Sequence, residues 1–139
     1  MFTKAQLADL LMDFVPIRKG ENESFYTVFP PDEKCPFSVV ASFFYEKDRI
    51  VFIANAPDMK LEPYDVAAAI AFCNKNNKDS VNAVSYYYGD ANELRMSGCL
   101  FTDIDVPDEY VKVNFIAFYI RSALKFFAEA GKKFSPAAD

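Results

Sequence analysis

Four acidic side chains lie close together in the sequence, and they are the residues best suited to bind a hard metal ion. They are Asp103, Asp105, Asp108 and Glu109. Calcium takes six or more oxygen ligands on a turn-rich loop that usually contains a glycine. Here Val106 and Pro107 interrupt the run, and no glycine lies within it. Carboxylates also stabilise the positive end of a helix dipole. We therefore expect a helix start here rather than a metal site.

Nucleophilic catalysis lacks its usual residues in this sequence. The chain contains no histidine that could activate a serine or a cysteine. Its three cysteines, Cys35, Cys73 and Cys99, are widely spaced and too few for a Cys₄ zinc site within one chain. A redox or metal site is one interpretation, and small buried hydrophobic residues in a reduced compartment are the one we favour. We expect no enzymatic activity, no cofactor and no bound metal.

Composition restricts the partners further. The chain has 139 residues, 52% of them hydrophobic, and a net charge of −5. An acidic protein without a basic stripe is not expected to bind nucleic acid. No apolar run reaches the roughly 20 residues that cross a bilayer, and the N-terminus lacks the pattern of a signal peptide. We expect a cytoplasmic protein that does not bind membranes.

Three helices and five strands are predicted, and they form one domain over residues 1–134 with a frayed tail at 135–139. Thr3 and Gln6 have the spacing of a capping box, which begins a helix that Pro16 ends. Strand patterns occupy residues 24–29, 37–45, 50–54, 81–88 and 94–101. A middle helix runs from about Glu62 to Asn77, and its alanine-rich, uncharged sequence predicts that it is the most buried of the three. The last helix covers Pro107 to Lys133.

The order of elements predicts an α+β fold. It reads α-β-β-β-α-β-β-α, and the strands alternate in polarity as they do in an antiparallel sheet with one covered face. We expect two layers, with the helices packed on one face of the sheet. The other face remains open. Because side chains alternate along a strand, Tyr86 and Tyr88 are expected on that open face, as candidate partner-binding residues.

The last helix is more apolar than a helix on one side of a small domain needs to be. On an α-helical wheel, one side is expected to face the core: Val113, Ile116, Ala117, Ile120, Leu124 and Phe127. Phe115, Tyr119 and Phe126 extend the apolar arc beyond that side, and Phe118 lies among charged residues. Either the first helix or a loop covers these rings, or they bind a partner or a second copy. We list these four rings as candidate partner-binding residues.

Two short segments carry a resemblance to a known family. Residues 72–77 read Phe-Cys-Asn-Lys-Asn-Asn at the end of the middle helix, and residues 106–109 read Val-Pro-Asp-Glu at the start of the last. With the order of elements, they resemble the YbjN-like family of proposed bacterial sensory transduction regulators, over roughly residues 7–127. The resemblance implies the fold of the type III secretion chaperones, which hold effector proteins. It implies no enzymatic mechanism.

These observations favour a non-enzymatic protein-binding module, either a regulator or a chaperone-like adaptor. Its partners would be another protein and a second copy in a homodimer. The alternative is a small-ligand sensor with an apolar pocket between sheet and helices, since dense Phe and Tyr also suit such a pocket. Asn74, Asn76 and Asn77 could bind a polar ligand, although asparagine near the C-terminal end of a helix more often adopts left-handed geometry and satisfies the last carbonyls of the helix.

Overall fold

A six-stranded antiparallel sheet is the framework of the protein, in a computed structural model that describes residues 2–80 and 82–134. The strand order is β1-β2-β3-β4-β6-β5. The strands are β1 (Arg18–Lys19), β2 (Ser24–Phe29), β3 (Val39–Tyr45), β4 (Arg49–Asn55), β5 (Val84–Tyr88) and β6 (Glu93–Phe101). The helices are α1 (Lys4–Met12), α2 (Val66–Asp79) after a 3₁₀ turn (Pro63–Asp65), α3 (Asp108–Tyr110), a π-helical segment (Val111–Ala117) and α4 (Phe118–Phe134).

The predicted α+β architecture is confirmed. All five predicted strands are present, and β2 has the predicted bounds. The two-residue strand β1 was not predicted, because two residues are too few to show a period; it is held by pairing with β2. The predicted capping box of Thr3 and Gln6 is formed. Val81, predicted at a strand start, and the predicted tail at 135–139 lie outside the described residues.

Alternation along the strands separates a covered face from an open face. The side chains that point to the helices are almost completely buried, with Phe43, Phe52 and Leu94 at 1%, 0% and 0% exposure. Burial of an aromatic or branched side chain stabilises a fold by about 1.5–3 kcal/mol. The side chains between them point away from the helices and are mostly half-buried or exposed. The core therefore lies between one face of the sheet and the helical layer.

The prediction that α2 is the central and most buried helix is wrong. Only Ala69 and Cys73 are buried in it, while Ala67, Ala68 and Ile70 are exposed. The helix packs on β5, the edge strand of the sheet, and not over its centre. Alanine allows close packing on any side of a helix but buries little area, so its presence does not indicate which side is covered.

The asparagines near the end of α2 attach this helix to the edge strand. The amide group of Asn77 donates to the Ser85 carbonyl at 2.8 Å and accepts the Ser85 N–H at 2.8 Å. The Ser85 hydroxyl lies 3.0 Å from the Asn77 oxygen and 3.2 Å from the Asn76 amide nitrogen. The two amides thus bind the backbone and side chain of Ser85, which is only 2% exposed. Asn76 and Asn77 thus have a structural role, but not the expected one, because they lie within α2 and bind a strand residue instead of capping the helix.

We expect Asn77→Asp to destabilise the protein. The carboxylate keeps an acceptor for the Ser85 N–H but cannot donate to the Ser85 carbonyl, which is left unpaired at a cost of about 1–3 kcal/mol. Urea unfolding followed by circular dichroism measures the change. Asn74→Asp is the matched control, because Asn74 is exposed on the same helix and should tolerate the charge. Equal free energies of unfolding for the two variants would contradict this role of Asn77.

Candidate functional site

Three of the four aromatic residues predicted on an outer surface of the last helix are instead buried. Phe115, Tyr119 and Phe126 are 1%, 4% and 1% exposed. Phe115 contacts Phe43 with ring centroids 5.9 Å apart, and α1 packs on the same helical segment. The expectation that these rings form an outer aromatic surface is therefore wrong. Other residues of the same chain cover these rings, which is the alternative stated above.

The π-helical segment explains a second error, the prediction that Val113 faces the core. A π-helical turn closes through i→i+5 hydrogen bonds and takes about one residue more than an α-helical turn. The α-helical wheel places Val113 beside Ile120 and Phe127, at intervals of seven residues, and so predicts it in the core. In the structure Val113 is rotated outward and is 52% exposed. The side of this segment that faces the core carries Phe115, and the α-helical wheel placed the core on the side of Val113 instead.

Gly98 of β6 provides the space that receives Tyr119. The Tyr119 ring occupies the position that a Cβ atom of residue 98 would take. Its hydroxyl donates to the Asn82 carbonyl at 2.9 Å, and its ring lies 5.2 Å from that of Phe52. Burial is the largest factor that raises the pKa of the Tyr119 phenol. Tyr119 is thus a core residue that stays protonated near neutral pH.

A groove between α2 and α4 is the first candidate surface. Its volume is about 1050 Å³. Phe118 and Phe126 of α4, Phe72 of α2 and Met96 of β6 supply its apolar part. Its rim carries cations and carboxylates, namely Lys75, Lys125, Lys133, Asp79 and Glu129. Among the four rings predicted to bind partners on this helix, Phe118 is the one that remains partly exposed here.

The open face of the sheet is the second candidate surface. Strand register places its side chains in rows that cross the sheet. One row is Val28, Val40, Asn55, Arg95 and Tyr86; the next is Arg18, Tyr26, Ser42, Ile53, Ser97 and Val84; the third is Ser24, Phe44, Val51 and Cys99. We call these three rows, with Tyr88, Glu93 and Phe101, the open sheet face. Val28, Val84 and Phe101 are 45%, 52% and 54% exposed.

Tyr86 and Tyr88 lie on the open sheet face, as alternation predicts, and both are partly exposed. The Arg95 guanidinium lies 3.6 Å from the centre of the Tyr88 ring, where it makes a cation–π contact. The same guanidinium pairs with Glu93 at 2.8 Å. The Asn55 amide also donates to Glu93 at 3.3 Å. The role of the two tyrosines in partner binding stays a prediction.

Sequence reasoning missed the centre of this surface. Phe44, Val51 and Ile53 lie in predicted strands but are not among the predicted partner-binding residues. The alternation that places Tyr86 and Tyr88 on the open face also places these three side chains there. Cys99 was expected to be buried but is exposed beside Val51, because its strand position points to the open face. Cys35 and Cys73 are buried, as predicted.

Two of the four residues of the acidic cluster lie at a helix start. Asp103, Asp105, Asp108 and Glu109 are all exposed, and Asp108 and Glu109 lie in the first helical turn. Within residues 2–80 and 82–134, acidic and cysteine side chains make no group of three that could hold a metal ion. In the same ranges, no helix has the length and apolarity that a membrane span requires.

We expect Gly98→Ala to destabilise the protein by about 1–3 kcal/mol, because a methyl group there displaces the packed Tyr119 ring. Thermal and urea unfolding measure the change. Gly89→Ala is the matched control, since its new Cβ would lie 3.7 Å from the nearest atom, an ordinary contact with Tyr87. Unchanged stability of Gly98→Ala would show that Tyr119 has another place to pack.

Two solved structures resemble this architecture. The crystal structure of YbjN from E. coli, a proposed transcription regulator, matches with a TM-score of 0.63 and 16% sequence identity, over 92% of this chain and 87% of that one. An uncharacterized protein from Methanothermobacter thermautotrophicus matches with a TM-score of 0.49 and 14% identity, over 96% and 100%. No family model matches the sequence, and no curated protein is significantly similar to it. The chain therefore has a YbjN-like fold.

Proposed function

We propose that this chain is a non-enzymatic protein-binding module of the bacterial cytoplasm, a regulator or chaperone-like adaptor. The observation that carries the proposal is the open sheet face. Its central positions, Phe44, Val51 and Ile53, are apolar, although the helices within residues 2–80 and 82–134 pack on the other face of the sheet. Contiguous apolar patches beyond a few hundred Å² are rare on monomers and mark interaction sites. The Phe118 side of the α2–α4 groove is the second surface of the proposal.

The YbjN-like fold and the charge of the chain support a role that depends on protein contacts. YbjN is described as a proposed transcription regulator, and this chain shares its fold at 16% identity. A net charge of −5 disfavours direct binding to DNA. A regulator of this composition would therefore act by binding another protein.

The cysteine environments favour binding over catalysis. Burial raises the pKa of the Cys73 thiol above the ordinary cysteine value. Because the thiolate is the nucleophilic form, this group is a poor nucleophile near pH 7. The three cysteines are free thiols, which is the usual state of cysteine in the reducing cytoplasm.

Substitutions on the two surfaces test the proposal. We expect Ile53→Lys or Phe118→Lys to reduce the recovery of native partner proteins by tenfold or more, which corresponds to at least about 1.4 kcal/mol of binding free energy. Ile53 lies between Ser42 and Ser97, so a lysine fits there without a clash. Affinity capture from the native host, quantified by mass spectrometry, measures recovery, and circular dichroism checks that each variant is folded.

Val113→Lys is the matched control for that experiment. Val113 is apolar and 52% exposed, but it belongs neither to the open sheet face nor to the groove. Its substitution should leave the set of captured proteins unchanged. Retention of every partner by both Ile53→Lys and Phe118→Lys would contradict binding through these surfaces. Phe126 is unsuitable as a test, because a charge at that buried position would unfold the protein.

A small-ligand sensor is the second candidate function, and the α2–α4 groove favours it. A volume of about 1050 Å³ is at the upper end of typical ligand pockets. Aromatic side chains at its base, including Phe72 and Phe118, suit an apolar ligand. The lysines on its rim suit one that also carries a negative group.

Filling the groove tests this second function. If the protein is a sensor, native mass spectrometry of freshly purified protein should detect a bound small molecule. Ala71→Trp should remove it, since Ala71 lines the groove and an indole would occupy that space. Ala67→Trp, exposed on the same helix outside the groove, should keep it. Protein that is free of ligand in every preparation would count against a sensor.

A further inference from the structure

We propose that a second copy of this chain covers the open sheet face, so that two sheets pack face to face with the helical layers outside. This inference rests on the proposed function, because it names the occupant of the same surface. Its argument has three steps: the area of the surface, its charge and its shape.

The area is sufficient for a stable dimer. Strands lie about 4.8 Å apart and rise about 3.3 Å per residue, so five strands of about seven residues present a flat area of roughly 550 Å². β3 and β4, at the centre, have 7 residues each. Side-chain relief raises the accessible area above the flat value, and two copies would bury on the order of 1,200 Å² or more. Specific interfaces begin at about that size.

The charges over the central strands are compensated within the chain, and the cation Arg18 lies at the β1 edge of the surface. Arg95 pairs with Glu93 at 2.8 Å, and Arg49, at the end of β4, pairs with Asp48 at 3.1 Å. The Glu93 side chain is only 4% exposed. Two copies of this surface would therefore repel each other only weakly, although each chain carries a net charge of −5. A strongly basic or acidic partner would find few unpaired charges to bind, which favours a neutral apolar partner surface.

The shape of the surface suits an identical sheet. Twisted sheets pack face to face with their strands about 30° apart, and side chains from both faces interdigitate. The centre of this surface alternates large and small side chains, as Phe44 and Val51 lie in one row and Ser42, Ile53 and Ser97 in the next. A two-fold axis through the centre would bring the same rows of the two copies together, so that side chains of both faces interdigitate. Such an interface is self-complementary.

Sedimentation velocity on the full chain tests the dimer. The wild-type protein should sediment as a dimer at high concentration and dissociate on dilution. Ile53→Lys should be monomeric, and Val113→Lys should remain dimeric. A wild-type protein that is monomeric at several hundred micromolar would overturn the proposal. So would an Ile53→Lys variant that dimerises as well as the wild type.

Cys99 reports which face forms the dimer. It is the exposed thiol among the three cysteines, and it lies on the open sheet face beside Val51. At a concentration about 100 times the dissociation constant, mass action predicts that maleimide labelling of Cys99 slows by about tenfold. The rate in Ile53→Lys should not depend on protein concentration. A wild-type dimer whose Cys99 is labelled as fast as that of the monomer would place the interface elsewhere and overturn the proposal.

These outcomes separate the dimer from the wider proposal. A monomeric wild-type protein whose capture of other proteins is lost in Ile53→Lys would overturn the dimer and leave the binding module standing. A dimer protected at Cys99 that captures no protein sensitive to Ile53→Lys or Phe118→Lys would support the dimer and contradict the adaptor role.

Discussion

Aromatic contacts between the last helix and the centre of the sheet hold the two layers together. Phe115 contacts Phe43 and Tyr119, with ring centroids 5.9 and 5.1 Å apart, and Tyr119 lies 5.2 Å from Phe52. Each such pair adds about 0.5–1.5 kcal/mol to the free energy of area burial. Gly98 makes the arrangement possible, because any side chain there would exclude the Tyr119 ring. The position of the helix over β3 and β4 depends on this cluster.

The rest of the helical layer follows from that position. The helix occupies the middle of the sheet, α1 packs beside its π-helical segment, and α2 packs on the edge strand β5. Asn77 holds α2 to Ser85 by paired hydrogen bonds. Because α2 and α4 lie over different parts of a wide sheet, a groove remains between them. One layer of helices covers only one face, so the opposite face keeps its apolar side chains in contact with solvent.

A sheet that is covered on one side leaves two surfaces for association. If a second copy occupies the sheet, the grooves of the two chains face outward on opposite sides of the dimer. Each groove then remains accessible to a further protein or to a small ligand. Dimerisation and partner binding are therefore compatible in one assembly. This arrangement would give an adaptor two equivalent sites without any catalytic residue.

The sequence by itself determined the longer elements and their order, since these depend on local periods and end signals. The capping box of Thr3 and Gln6, the bounds of β2 and the outward position of Tyr86 follow from neighbours only a few residues away. Tertiary structure alone decided which side of each helix is covered. A π-helical segment rotated Val113 outward, a missing side chain at residue 98 admitted Tyr119, and the contact with β5 left most of α2 exposed. These outcomes depend on contacts between residues that are distant in the chain. The periodic pattern along one helix does not indicate those contacts.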